Sequence, residues 1–183
     1  MVKKTEFFRL LMPSEVLKIE STIQKSDLRM SFKTAVFTGM RYKELQLFAE
    51  HPEWFNFNRK IIIIPKKYTK TLDERKVNLT TQFSELLYYF LHSGHMLKYS
   101  VYQSWSANLR RWAALADVEH PEDLSAGSTR KAWESWLIES GWPLSRILAS
   151  QGHDMNTSMK HYYNNDVTPE ERINMKEMTQ GWG

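Results

Sequence analysis

Two residues near the C-terminus have types that could do nucleophilic chemistry: His153, in the pair Gly152-His153, and Tyr162, nine positions further on, with Tyr163 beside it. A phenol is a poor nucleophile at neutral pH. One that attacks an ester needs cationic neighbours to lower its pKa and to stabilise the charge that develops on its target. Alone, a histidine after a glycine serves as a cap or core residue as readily as a catalyst, and paired tyrosines anchor helices. The chemistry therefore depends on whether the chain supplies cations. It offers Arg41 in Thr38-Gly39-Met40-Arg41-Tyr42-Lys43-Glu44-Leu45, where Glu44 lies three positions on and so shares a helical face. It offers Lys67 and Lys70 in the lysine-rich stretch from Lys66 to Arg75, and Arg130 with Lys131 in Gly127-Ser128-Thr129-Arg130-Lys131-Ala132-Trp133. Each also has an ordinary reading: a surface ion pair, a solvated hairpin tip, an arginine laid along tryptophan. His92 and His95 have the spacing of metal ligands but bracket Gly94, where a helix ends, and no carboxylate stands near; no metal site is assigned.

The elements that must position these residues follow from hydrophobic periodicity. Pro13-Ser14-Glu15 is a helix start, with Val16, Leu17, Ile19 and Ile23 on one face. A second helix begins near Asp27 and carries Leu28, Phe32, Ala35 and Val36; Gly39 ends it and launches a third through Arg41 and Glu44. From Glu53 to Thr80 the pattern changes to β-branched and aromatic runs, Trp54 to Phe57, Ile61 to Ile64, then Val77 and Leu79, which predict a small antiparallel sheet with a mobile basic tip. Helices return with Phe83, Leu86, Leu87 and Phe90, with a stripe of Val101, Trp105, Leu109, Trp112 and Leu115, and with Trp133, Trp136 and Leu137. A short helix from Leu144 to Ser150 delivers Gly152-His153, and Pro169-Glu170-Glu171 opens a last one. The fold class is thus α+β, mainly α-helical, with a small antiparallel sheet.

Composition bounds the function. The 183 residues, 42% hydrophobic and 13% aromatic, suffice for one core, and a single domain over 1–183 with a tail helix in 165–183 is expected. Lys and Arg number 25 against 21 Asp and Glu, a mild bias toward polyanionic partners. Disulfides and thiolate metal sites are excluded because there is no cysteine. Neither a signal peptide nor a membrane-length apolar run is present, so a cytoplasmic protein is expected.

In order, the chain presents T-G-x-R-x-x-E-L at 38–45, a lysine in a hairpin, an arginine early in a tryptophan-rich helix, a Gly-His, and a tyrosine nine residues later. Any one of these boxes is weak; the five in this order and spacing resemble the catalytic domain of tyrosine recombinases, the phage integrase and Xer family. Within it the chain looks most like archaeal integrases, on the R-K-x-W context of Arg130. The resemblance runs from about Leu10 to Asn164. It implies Arg41 and Arg130 as the two catalytic arginines, Glu44 as the acid bracing the first, Lys70 as the hairpin lysine with Lys67 as runner-up, His153 as the later histidine, and Tyr162 as nucleophile with Tyr163 its adjacent rival. Lys70 is chosen because Lys70-Thr71-Leu72-Asp73-Glu74-Arg75-Lys76-Val77-Asn78-Leu79 aligns without a gap on the family's K-x-x-K-E-R-x-V-P-L.

What the resemblance implies for activity is strand cleavage and rejoining on double-stranded DNA through a 3′-phosphotyrosyl bond, without metal or other cofactor, by protomers that self-associate on DNA as dimers or tetramers. It also implies that a separate N-terminal core-binding domain is absent from this chain. The chain departs from the family at Gly127, three residues before Arg130, where the family carries histidine or lysine; the role is then lost or passes to Ser125, Ser128 or Lys131. Two readings of the same residues stay open: a recombinase-like DNA-binding protein with impaired catalysis, and a type IB topoisomerase-like enzyme that cleaves without site choice.

Overall fold

The computed structural model describes residues 9–162 and 166–183, with the end of one helix, 159–162, described by its backbone. Nine α-helices and three strands are found among them: α1 Pro13–Thr22, α2 Ser26–Thr38, α3 Tyr42–Glu50, β1 Phe55–Asn56, β2 Ile61–Ile64, β3 Arg75–Asn78, α4 Thr81–His92, α5 Tyr102–Leu115, α6 Ser128–Glu139, α7 Leu144–Gln151, α8 Met155–Tyr162 and α9 Pro169–Met178. The helix α6 is the hub, packed against α2, α7, α8 and α9, while α1 lies on α5 and α9. Its centrality follows from its sequence: Trp133, Trp136 and Leu137 are fully buried, and Trp136 Nε1 donates to Leu11 O at 3.0 Å, so that its polar edge is also satisfied.

The sheet is antiparallel in the order β1-β2-β3, with Phe55 opposite Ile62, and Ile61 to Ile64 opposite Asn78 to Arg75. The expected first strand is shortened to two residues because Pro52 and Trp54 are taken into a 3₁₀ turn. The polar tip is also shorter than its composition implied. Arg75 belongs to β3, where it alternates inward with Val77 while Lys76 faces out, so it is buried and not a residue of the basic tip. Between the strands, Lys66–Tyr68 forms a 3₁₀ turn, and the Thr69 hydroxyl donates to Lys66 O and, at 2.7 Å, to Asp73 O, tying the loop across its neck.

In α5 the stripe holds only in its middle: Trp105, Leu109 and Trp112 are buried, but Val101 and Leu115 at its ends are more than 60% exposed. α9 likewise buries Met175 and leaves Ile173 exposed. It is nonetheless anchored, because the tail beyond it returns Trp182 to the core, where its Nε1 donates to the carbonyl of Asn78 on β3 at 2.9 Å.

Candidate active site

Four chain segments converge below the N-terminal end of α8. Gly39, at the end of α2, adopts a left-handed conformation (φ 59°) and turns the chain so that Arg41 caps α3. The Glu44 carboxylate reaches back to the Arg41 backbone N–H at 2.8 Å, satisfying one of the donors that a helix start leaves free, and pairs with Arg41 Nη1 at 3.3 Å. Glu44 also receives Arg75 Nη2 at 2.5 Å. A carboxylate that is 3% exposed is thus neutralised by two guanidiniums from different elements.

The turn between α7 and α8 supplies the acceptors. Gly152 is left-handed (φ 66°), and the carbonyls on either side of it point into the cluster. Gly152 O accepts from Arg41 Nη2 at 2.7 Å; Gln151 O accepts from Arg75 Nη1 at 2.7 Å and also from Arg130 Nη2. Arg130 Nη1 donates to Gly39 O at 2.6 Å, and its Nη2 lies 2.9 Å from His153 Nε2. A Cβ at residue 152 would stand 2.9 Å from Arg75 Cδ and closer still to its Nη1, so glycine is required there both by backbone angle and by the approach of an arginine.

Three guanidiniums so close must repel. Burial, then Arg41 and Arg75, push Arg130 down from its ordinary value to about 10, with Glu134 and Glu44 opposing the shift. Arg75 is lowered by burial as well, and Glu44 counters. A base whose folded value is lowered costs stability while it is charged. That cost is fully present below about pH 10 and is relieved only as pH rises above it, so at neutral pH the cluster holds an unrelieved positive potential that an anion would offset. Access is graded: the Arg41 side chain is 32% exposed and His153 16%, whereas Arg75 and Arg130 are 7–8% exposed. An anion arriving from solvent meets Arg41 and His153 first.

The structure therefore brings together Arg41, Glu44, Arg130 and His153. Tyr162 lies at the end of α8, the helix that follows His153; its side chain, and all of Tyr163, fall outside the described residues. Lys70 and Lys67 do not join the cluster. Both are exposed on the loop between β2 and β3, where Lys67 Nζ lies 4.7 Å over the Tyr68 ring, and among the described residues no hydrogen bond or ion pair links Lys70 to the arginines. Lys131 is half-buried one residue past Arg130, and Ser128 Oγ accepts from Ser125 N at 2.9 Å in the turn before α6. At Gly127 a side chain would meet only ordinary contacts, with Ser125 Oγ and Tyr102 Oη at 3.8 Å.

Three participants escaped the sequence reading. Arg75 was assigned to a mobile tip, although its alternation with Val77 and Leu79 marks it as inward-facing. Gln151 holds the cluster through its carbonyl, and its Nε2 donates to Thr38 O at 3.2 Å, an interaction with no composition signal. Glu134 stands one turn beyond Arg130 on the same face of α6, a spacing that was visible.

A groove of about 590 Å³ lined by Lys43, Gln46, Leu97, Tyr99 and Trp105 lies elsewhere and includes none of the clustered arginines. An exposed group of His120, Glu122 and Asp123 on the turn before α6 contains no residue of the cluster either.

Residues 9–168 match the phage integrase family. The chain belongs to that family. Solved structures agree on the fold of this family member: XerA recombinase superposes with a TM-score of 0.69 at 12% identity over 97% of this chain and 64% of XerA. The Tn1549 transposon integrase, in complex with transposon right end DNA, gives 0.69 at 14% identity over 97% of this chain and 68% of its own. XerH recombinase bound to its difH substrate gives 0.65 at 20% identity over 90% of this chain and 53% of XerH. The integrase-family chain thus spans less than two thirds of the length of XerA and XerH. Among curated proteins none matches it. No described helix is long and apolar enough to cross a membrane.

Proposed function

We propose that this integrase-family chain is the catalytic part of a site-specific DNA recombinase that cuts and rejoins strands through a 3′-phosphotyrosyl bond to Tyr162. The observation that carries the reading is the convergence of Arg41, Arg130 and His153 on the Gly152 turn that leads into the helix of Tyr162.

A DNA phosphodiester is an anion that repels nucleophiles, and attack on phosphorus adds charge to its non-bridging oxygens. Arg41 and Arg130 supply always-charged paired donors for those oxygens, and His153 a further one. The bond from the Tyr162 oxygen to phosphorus forms, with the phenol proton passing to solvent, as the bond to the 5′ oxygen breaks, and that oxygen takes a proton from Lys70, carried onto bound DNA by the β2–β3 loop. The phosphotyrosyl bond keeps the ester's energy, so a second strand rejoins by the reverse step without nucleotide. Glu44 holds Arg41, and Arg75 holds Glu44. Lys131, Ser125 and Ser128 are the residues left to act where Gly127 carries no side chain; the Ser128 oxygen accepts from Ser125 N and its hydrogen remains available to donate.

Duplex DNA is the partner this reading requires, with self-association of protomers on it, and a mobile element, of an archaeal kind by its R-K-x-W box, is the source it fits. XerH and the Tn1549 integrase are seen bound to DNA, which supports the partner. The test is a selection from nicked duplexes with randomised centres. Rejoined products should share one central sequence and vanish with Arg130→Ala. Products with no common sequence would reject site choice and leave a topoisomerase-like enzyme in its place.

A further inference from the structure

The cluster contains one charged residue that the proposed reaction does not use. Glu134 is fully buried on α6, four residues after Arg130, and its two oxygens face different elements. Oε1 accepts from the Ser158 hydroxyl on α8 at 2.6 Å, and Ser158 is itself fully buried. Oε2 lies 3.0 Å from His153 Nε2 yet makes no aligned hydrogen bond among the described residues; the pair is close in distance but not in line.

A carboxylate in this position is expensive to keep, because a buried charge short of a partner costs more than a neutral polar group left in the same state. Apolar neighbours would serve α6 packing better, since replacing a buried ion pair by well-packed apolar groups is often neutral or stabilising. What the carboxylate does that an apolar side chain cannot is accept a hydrogen bond from another segment. Among the described residues α8 packs on α6, and the Ser158 bond is a polar tether between the two helices. Position 162 is one helical turn beyond position 158 and lies on the same face of α8.

His153 Nε2 faces both Arg130 Nη2, a donor, and Glu134 Oε2, an acceptor. Arg130 Nη2 is placed to donate to Nε2, whereas Oε2 is out of line with it, so Glu134 bounds the ring of His153 without a hydrogen bond to it.

We propose that Glu134 is a positioning residue: through Ser158 it fixes the register of α8, the helix that presents Tyr162. This rests on the recombinase reading for its purpose, but not for its test. Among the described residues, Arg130 and Glu134 on α6 stand against His153 Nε2, Arg41 and Arg75 bond the neighbouring carbonyls of Gly152 and Gln151, and Asp154 caps α8 through Thr157 N at 2.7 Å.

The experiment reads the protein without DNA. Amide hydrogen exchange across 155–162 is compared in the wild-type chain, Ser158→Ala, Glu134→Ala and Glu134→Gln. Ser158→Ala and Glu134→Ala should speed exchange in α8 roughly ten-fold or more relative to α7, the loss expected for a buried bond to a charged acceptor. Glu134→Gln keeps an oxygen for Ser158 and should leave α8 protected. Unchanged exchange in Ser158→Ala, or exchange in Glu134→Gln as fast as in Glu134→Ala, would overturn the tether. Because the readout does not involve cleavage, failure here is distinct from failure of the recombinase reading.

Discussion

Arg75 and Arg41 share the same acid and should behave in opposite ways when removed. Arg75 is 7% exposed and pairs with Glu44 at 2.5 Å, so Arg75→Ala leaves a buried carboxylate with only the part-exposed Arg41 as its ion partner and should lower stability by about 3 kcal/mol, seen as a fall in the urea midpoint at constant slope. Arg41 is one-third exposed, and its pair with Glu44 is screened by water; Arg41→Ala should cost roughly 1 kcal/mol or less. It should nonetheless reduce DNA cleavage by about two to three orders of magnitude, because it removes a donor aimed at charge that develops only during reaction. Equal stability losses in the two variants would contradict this division between a residue that holds the site and one that faces the substrate.

At the scale of elements, the site depends on β3 being held in place from behind. Trp182 buries its ring beside Trp142, with ring centres 5.4 Å apart, and bonds the carbonyl of Asn78, whose N–H takes the Ser150 hydroxyl of α7 at 3.0 Å. The tail thus braces the strand that carries Arg75 and the helix that leads to Gly152. Trp182→Ala should lose about 3–5 kcal/mol and loosen β3 amides selectively in hydrogen exchange; uniform loosening across the molecule would show that the tail only adds core. This bracing was not legible in the sequence, where Gly-Trp-Gly gives no periodicity to say which way the ring turns. The helices were legible because proline, glycine and apolar spacing mark their ends locally: Pro13, Gly39 and Pro169 each stand where the signals place them. The guanidinium cluster was half legible. Arg41, Glu44, Arg130 and His153 stand in recognisable boxes, but Gln151 acts through a backbone carbonyl, which has no letter of its own. Glu134 and Arg75 were readable only by trusting helical and strand spacing over the habit of placing charge outside. The Lys70 assignment rests on alignment alone, since an exposed loop carries no packing pattern to fix where its side chain goes.

For the whole molecule, binding strength should come from charge more than from enclosure. The cluster is open on the side of Arg41 and His153, where an anion would enter. With on the order of three neutralised phosphates, affinity for duplex DNA should fall roughly ten- to a hundred-fold between about 50 and 200 mM salt. Affinity that stays constant over that range would remove phosphate contacts as the basis of binding.

The central claim is that the converged arginines and histidine serve a tyrosine nucleophile at position 162. The most direct measurement incubates the chain with a pool of nicked duplexes, in which the broken strand diffuses away after cleavage, then digests any covalent adduct and sequences the DNA-linked peptide by mass spectrometry. The account predicts a 3′-phosphate on Tyr162 and no adduct from Tyr162→Phe; DNA attached to Tyr163, or an adduct that survives Tyr162→Phe, would contradict it.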